Sequence, residues 1–207
     1  MRTRRKTVLL TGFGPFPGVS DNASARLVEA LALQAPNVFP RIDIHAEVLS
    51  TEWQAGPERL DALVAGIRPN LMLHFGVAQG CTGFRIETRA QNACHVKEDA
   101  AGLKPASTWL IENGAPSRSV TLPGKQIVAR LTEIGLPAQL SDDAGGYLCN
   151  AVLYHALSYA EAAPHNCQAG FIHIPPDLTG PPLTFDDAVT GSLEILQLCL
   201  DTRDVNA

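Results

Sequence analysis

Cys149 stands two residues after a Gly-Gly-Tyr turn, in "AGGYLCNAVLYHAL", where an apolar spacing of helical period begins. The first N–H groups of a helix have no intrahelical acceptor and the helix dipole is positive there, a setting that favours thiolate over thiol. A nucleophile also needs a base. His173 sits near the end of the apolar run "GFIHI", just before the chain-turning Pro175 and Pro176, so its ring has a rim position from which to reach a neighbouring element. A carboxylate orients such an imidazole and favours its charged form, and Glu87 in "FRIETRAQN" is the candidate. A Cys-His-carboxylate set of this kind performs acyl transfer: attack on a carbonyl, protonation of the leaving group and hydrolysis of a thioester.

Each of these residues also has a plainer reading. Cys149 suits a small buried hydrophobe, and His173 a hydrogen-bonded core residue. Glu87 suits a solvated strand-face charge paired with Arg85 or Arg89. Other thiol–imidazole pairs are worse placed. Cys94 and His95 are adjacent in an extended-looking segment and point to opposite faces, and His155 lies near the far side of the helix that Cys149 opens. The Cys and His residues have no metal-ligand spacing, so neither a metal nor a cofactor is expected.

The elements that must position these groups alternate strand and helix. Lys6 to Thr11 reads as a strand, and Asn22 to Ala35 as a helix behind an Asn cap. Ile42 to Leu49 alternates as a strand does, Pro57 to Ile67 returns to helical period, and Asn70 to Phe75 is a third strand ending at His74 and Gly76. Phe84 to Ala90 alternates apolar and charged residues, which predicts one strand with a wet face. Pro105 to Val120 reads as loop with short extended pieces. Pro123 to Ile134 is predicted helical, Leu136 to Ser141 a strand, Leu148 to Ala162 a helix and Gly170 to Ile174 a strand. Thr184 and Asp187 form a capping-box pattern for a last helix running to about Asp201. Without repeats or linkers, this pattern predicts a single α/β domain over residues 1–207, with a mostly parallel, twisted sheet. Sites in such sheets form beyond the carboxyl ends of the strands, where "TGFGPFPG", "HFGVAQG", Cys149 and His173 all fall.

Composition narrows the partners. The chain has 207 residues, 45% of them hydrophobic, and a net charge of −5, which argues against a nucleic-acid or anionic-membrane partner. No stretch approaches the ~18 apolar residues of a membrane span, and the basic start lacks the apolar run of a signal peptide, so a cytoplasmic location is expected. Five cysteines with no CxxC pair suit free thiols in a reducing compartment.

"LLTGFGPFPG" followed by Asn22 and Ser24, then "GFRIETRAQN", "SDDAGGYLCN" and "GFIHIP", resemble in order and approximate spacing the pyroglutamyl peptidase I family of cysteine peptidases. The resemblance runs from about Val8 to the last helix. It implies an α/β/α sandwich, removal of N-terminal pyroglutamate from peptides, Cys149 as nucleophile, His173 as general base and Glu87 as third member. It further implies that Phe13 and Phe16 wall the pocket and that Asn22 contributes to substrate binding. Homo-oligomeric assembly, as a dimer or tetramer, is another implication. Pyroglutamate is a flat lactam without an ammonium group, so aromatic walls and a few hydrogen bonds suit it better than an acidic residue. Taken alone, the two phenylalanines read as core anchors in a turn. A phosphate loop is excluded because "TGFGPFPG" lacks a Lys, and Pro15 and Pro17 remove N–H donors. The chain departs from the family pattern at Val77, where many bacterial members have Gln, and at Thr88, where they have Arg. It also lacks the Ala-Arg-Ile-Pro-Asp segment they carry after Asn92. A non-catalytic α/β binding module, or a Cys-His amidase acting on a related lactam or acyl group, would use the same residues.

Overall fold

The apolar run after Lys6 forms β1 (Thr7–Phe13), buried along its whole length, and Asn22 caps α1 (Ala23–Val38) by accepting the Ser24 N–H. β2 (Asp43–Leu49), α2 (Ala55–Ile67) and β3 (Leu71–Val77) continue the alternation in a computed structural model that describes residues 5–201. β4 (Phe84–Glu87) follows, and then a separate ribbon of β5 (Arg89–Gln91) and β6 (Ser117–Ser119). α3 (Gly124–Glu133), β7 (Ala138–Ser141), α4 (Leu148–Ala162), β8 (Gln168–Ile174) and α5 (Phe185–Asp201) complete the chain. The capping box opens α5: Thr184 N–H donates to Asp187 Oδ2 at 3.0 Å, and Asp187 N–H donates back to Thr184 Oγ1 at 3.2 Å.

The six-stranded sheet has the order β2-β1-β3-β8-β4-β7. β2, β1, β3 and β8 run parallel, β4 is antiparallel to β8, and β7 is parallel to β4. Period-2 alternation sends Val8, Leu10, Leu73 and Ile172 to one face, under α1, α3 and α5. Leu9, Met72, Ala169 and Phe171 go to the other, under α2 and α4. The expected α/β architecture with a mostly parallel sheet is therefore present, with helices on both faces.

Two local expectations are corrected. Phe84 to Ala90 is not one strand, because Thr88 breaks it. Its N–H and hydroxyl both donate to Ser141 O, at 2.7 and 2.8 Å, while its carbonyl accepts from Val120 N–H. The chain thus leaves the sheet for the β5–β6 ribbon. Nor does this strand have a wet face at Glu87, which has no exposure to water, because α4 and the cleft wall cover that side of the sheet.

The sheet and α1 meet closely at Gly12. A Cβ there would lie 2.4 Å from the Ser24 carbonyl oxygen, in the same turn that places Ser24 Oγ to accept the Phe13 N–H at 3.0 Å. Because the obstacle is backbone, Gly12→Ala is expected to destabilise the fold by about 1–3 kcal/mol, read from the urea unfolding midpoint. An unchanged midpoint would contradict the close approach.

Candidate active site

Glu87 and His173 meet because β4 runs antiparallel to β8. Arg85 is directly opposite His173, and Glu87, two residues on and on the same face, takes the diagonal position. Its Oε1 accepts from His173 Nδ1 at 2.7 Å, with the carboxylate fully buried and the imidazole 4% exposed. That bond fixes the ring and leaves its other nitrogen to face the cleft.

Cys149 arrives from α4, one residue after that helix begins, and is half-buried. The turn before it depends on glycine: Gly145 has φ +80°, and a Cβ on Gly146 would sit 2.5 Å from the His95 ring. Asn150 then locks the helix start in place. Its side chain accepts the Gln91 N–H and donates to the Gln91 and Ala93 carbonyls, all at 2.9 Å. From β3, Gly76 lies beside His173 in register, and a Cβ there would come within 3.0 Å of Cys149 Sγ and 2.7 Å of the Phe171 ring. The thiol occupies space that only a glycine leaves open.

The electrostatics follow from this packing. Burial alone lowers the pKa of His173, but attraction to the Cys149 thiolate and the Glu87 carboxylate outweighs it, and the imidazole is pushed up to about 9. His74, on the same face one strand away, shows the opposite outcome. It is fully buried against Thr11 Oγ1 at 2.7 Å with no charged partner, and burial takes its pKa down to about 3. It does not line the cleft, although the sequence places it near the same rim.

A cleft of about 300 Å³ opens over Cys149 and His173 and is walled by Phe13, Phe16, Val77 and Tyr147. Phe13 is buried and packs toward Phe171, with ring centroids 6.2 Å apart, whereas Phe16 is half-buried and faces Tyr147 at 6.0 Å. Asn22 reaches the cleft wall, but its amide is engaged within the protein. Nδ2 donates to the Gly14 carbonyl at 3.0 Å, and Oδ1 accepts from Ser24 N–H and Oγ. It shapes the Phe13–Phe16 loop together with Thr51, whose hydroxyl donates to the same carbonyl at 2.9 Å. The arrangement has the parts for acyl transfer: a thiol at a helix N-terminus, an adjacent charged imidazole and a buried carboxylate behind it. Among the described residues, no group of three or more His, Cys, Asp or Glu side chains is placed to hold a metal.

Comparison with known proteins agrees in extent. The family model described as pyroglutamyl peptidase matches residues 6–201. The chain belongs to the pyroglutamyl peptidase family. A pyrrolidone-carboxylate peptidase of Vibrio vulnificus is 34% identical over 206 residues, 96% of this chain and 94% of that one. One from Chromobacterium violaceum is 37% identical over 174 residues, covering 82% and 78% of the two chains. The crystal structure of pyrrolidone carboxyl peptidase from Pyrococcus furiosus superposes with a TM-score of 0.87 at 26% identity, over 95% of this chain and 99% of that one.

The sequence singles out Cys149, His173, Phe13, Phe16 and Asn22, which the fold brings to one cleft, and Glu87, which lies buried behind His173, but it passes over Gly76, Tyr147 and Asn150. Gly76 carried a legible signal, a glycine inside an apolar strand, which marks a close approach. Tyr147 and Asn150 carried none, since their roles depend on contacts with distant loops.

The raised pKa of His173 has a consequence for stability. Its ordinary value is 6.5 and its folded value about 9, so the native state holds this proton more tightly than the unfolded chain. The stabilisation is complete below the lower value and is lost as pH rises through the higher one. NMR titration of the His173 ring is expected to give a midpoint near 9, shifted downward in Glu87→Gln and in Cys149→Ala. An unshifted midpoint in both variants would contradict the stated cause.

Proposed function

We propose that this chain hydrolyses the bond after an N-terminal pyroglutamyl group through a Cys149–His173–Glu87 triad and a thioester intermediate. Family membership supports the substrate class. The observation that carries the mechanism is the buried Glu87–His173 bond of 2.7 Å beside a thiol at a helix N-terminus. Thiolate formation places the Cys149 proton on His173. The thiolate attacks the pyroglutamyl carbonyl, and the oxyanion is held by N–H groups of the first turn of α4. His173 then protonates the departing amine, the C–N bond breaks, and a thioester remains. The neutral imidazole takes a proton from water as its oxygen attacks, and collapse of the second tetrahedral intermediate expels the Cys149 thiolate.

Selection of the lactam falls to Phe13, Phe16, Val77 and Tyr147, four cleft-lining residues that bring apolar surface and no charge. A free N-terminal ammonium would lose its water against these apolar walls, at a cost of several kcal/mol. Peptides beginning with Gln, Glu or Pro are therefore rejected.

The test is release of a chromogenic amine from pyroglutamyl and prolyl anilides. Pyroglutamyl anilide is expected to be cleaved and prolyl anilide spared, with Cys149→Ser and His173→Ala both close to inactive. Glu87→Gln retains more activity than either, because an amide still orients the ring but supplies no charge. Equal turnover of the two anilides, or near-normal activity in Cys149→Ser, would overturn the proposal.

A further inference from the structure

Arg85 occupies a place where a guanidinium is not usually left unpaired. It lines the cleft, half-buried, directly across the β4–β8 pair from His173. Residues so opposed have Cβ atoms about 4.5–5.5 Å apart on the same face. Its Nε is buried and has no hydrogen-bond partner, and among the described residues no carboxylate pairs with it. Glu87 is engaged with His173. Asp143 is the acidic residue among the cleft-lining side chains, and its Oδ1 accepts the Gly145 N–H at 2.9 Å. Lys97, the other cation of the cleft, lies over the Tyr147 ring at 4.8 Å. Arg118, also half-buried, shows the ordinary arrangement, paired with Glu161 and stacked over Tyr154. A partly desolvated guanidinium without an anion is costly, which points to an anion that arrives with the ligand.

The sheet order says which part of the ligand that is. Reading across β1, β3, β8 and β4, Phe13 comes first, then Gly76, then His173, then Arg85. Adjacent strands are about 4.8 Å apart, so Arg85 lies one strand beyond His173 on the side away from the phenylalanine wall. With the lactam against Phe13 and the carbonyl at Cys149, the departing amine sits at His173, and the rest of the leaving amino acid extends toward Arg85. In a pyroglutamyl dipeptide, the α-carboxylate follows the scissile nitrogen by only Cα and the carboxyl carbon.

We propose that Arg85 is a specificity-determining residue that receives a carboxylate on the amino acid released from the pyroglutamyl group, making acidic leaving groups the preferred substrates. The proposal rests on the pyroglutamyl peptidase reading of the site. The carboxylate has two sources, the free C-terminus of a dipeptide or an acidic side chain next to the scissile bond, and both present the same planar anion to the guanidinium.

The experiment compares kcat/KM for pyroglutamyl-alanine, its C-terminal amide and pyroglutamyl-aspartic acid α-amide, whose side-chain carboxylate is free, in the unmodified protein, Arg85→Gln and Arg85→Lys. The unmodified protein is expected to favour at least one carboxylate substrate over the neutral amide by about tenfold, the strength of one charge-assisted pair. Preference for the dipeptide identifies the C-terminal carboxylate as the source, and preference for the aspartic substrate identifies the side chain. The ratio falls toward one in Arg85→Gln, stays intermediate in Arg85→Lys and shrinks with added salt in the unmodified protein. That salt dependence and the unmodified ratio decide the question even where a variant fails to fold. A ratio near one in the unmodified protein, or a preference kept in Arg85→Gln, overturns the proposal. Failure of the unmodified protein to cleave any of the three would instead overturn the reading of the activity.

Discussion

A carboxylate with no exposure to water must find its counter-charge inside the protein, and for Glu87 that partner is His173, 2.7 Å away. Meeting this need constrains the sheet. The pair forms because β4 runs against β8, the one antiparallel junction in an otherwise parallel-paired six-stranded sheet. Had β4 run parallel, its residues would have met β8 in a different register, and the carboxylate would not have reached Nδ1 from the same diagonal. The reversal in turn requires β4 to end early. Thr88 does this by tying to Ser141 and Val120, which sends the chain into the β5–β6 ribbon. Asn150 then uses that ribbon to anchor the start of α4. The position of the thiol is thus set by the same detour that buries the carboxylate.

The two histidines on this face show how strongly the neighbours decide the charge state. His74 and His173 flank the Phe171 ring, at 6.4 and 4.8 Å between centroids. One faces a threonine hydroxyl and is driven to about 3, while the other faces a sulfur and a carboxylate and rises to about 9. Burial disfavours the imidazolium in both, so only the charged partners account for the difference. A charged imidazole held in an apolar wall is also more strongly coupled to its partners than one in water, because little solvent screens it.

Much of this was legible in the sequence. The alternation of strand and helix, the boundaries of α4 and the caps at Asn22 and Thr184 all follow from local chemistry, since apolar period and capping residues act over a few positions. The break at Thr88 and the burial of Glu87 were not legible. "FRIETRA" alternates as a half-wet strand does, and only the docking of α4 and the reversed pairing with β8 turn that polar side inward. Arg85 was hidden for the same reason: as a strand-face charge it looks like a partner for Glu87, and the tertiary pairing sends the two side chains to different uses. Asn22 illustrates the reverse. Its cap role is local and readable, and the same bonds that make the cap occupy the amide at the cleft wall.

The proposed covalent capture of the pyroglutamyl group by Cys149 is tested most directly by intact-protein mass spectrometry after rapid acid quench. During turnover of a pyroglutamyl anilide, the account predicts a species heavier by one pyroglutamyl acyl group, mapped to the peptide that carries Cys149 and accumulating in a variant impaired in the water step. Turnover with no adduct at any quench time in that variant, or an adduct on Cys81, Cys94, Cys167 or Cys199, would contradict it.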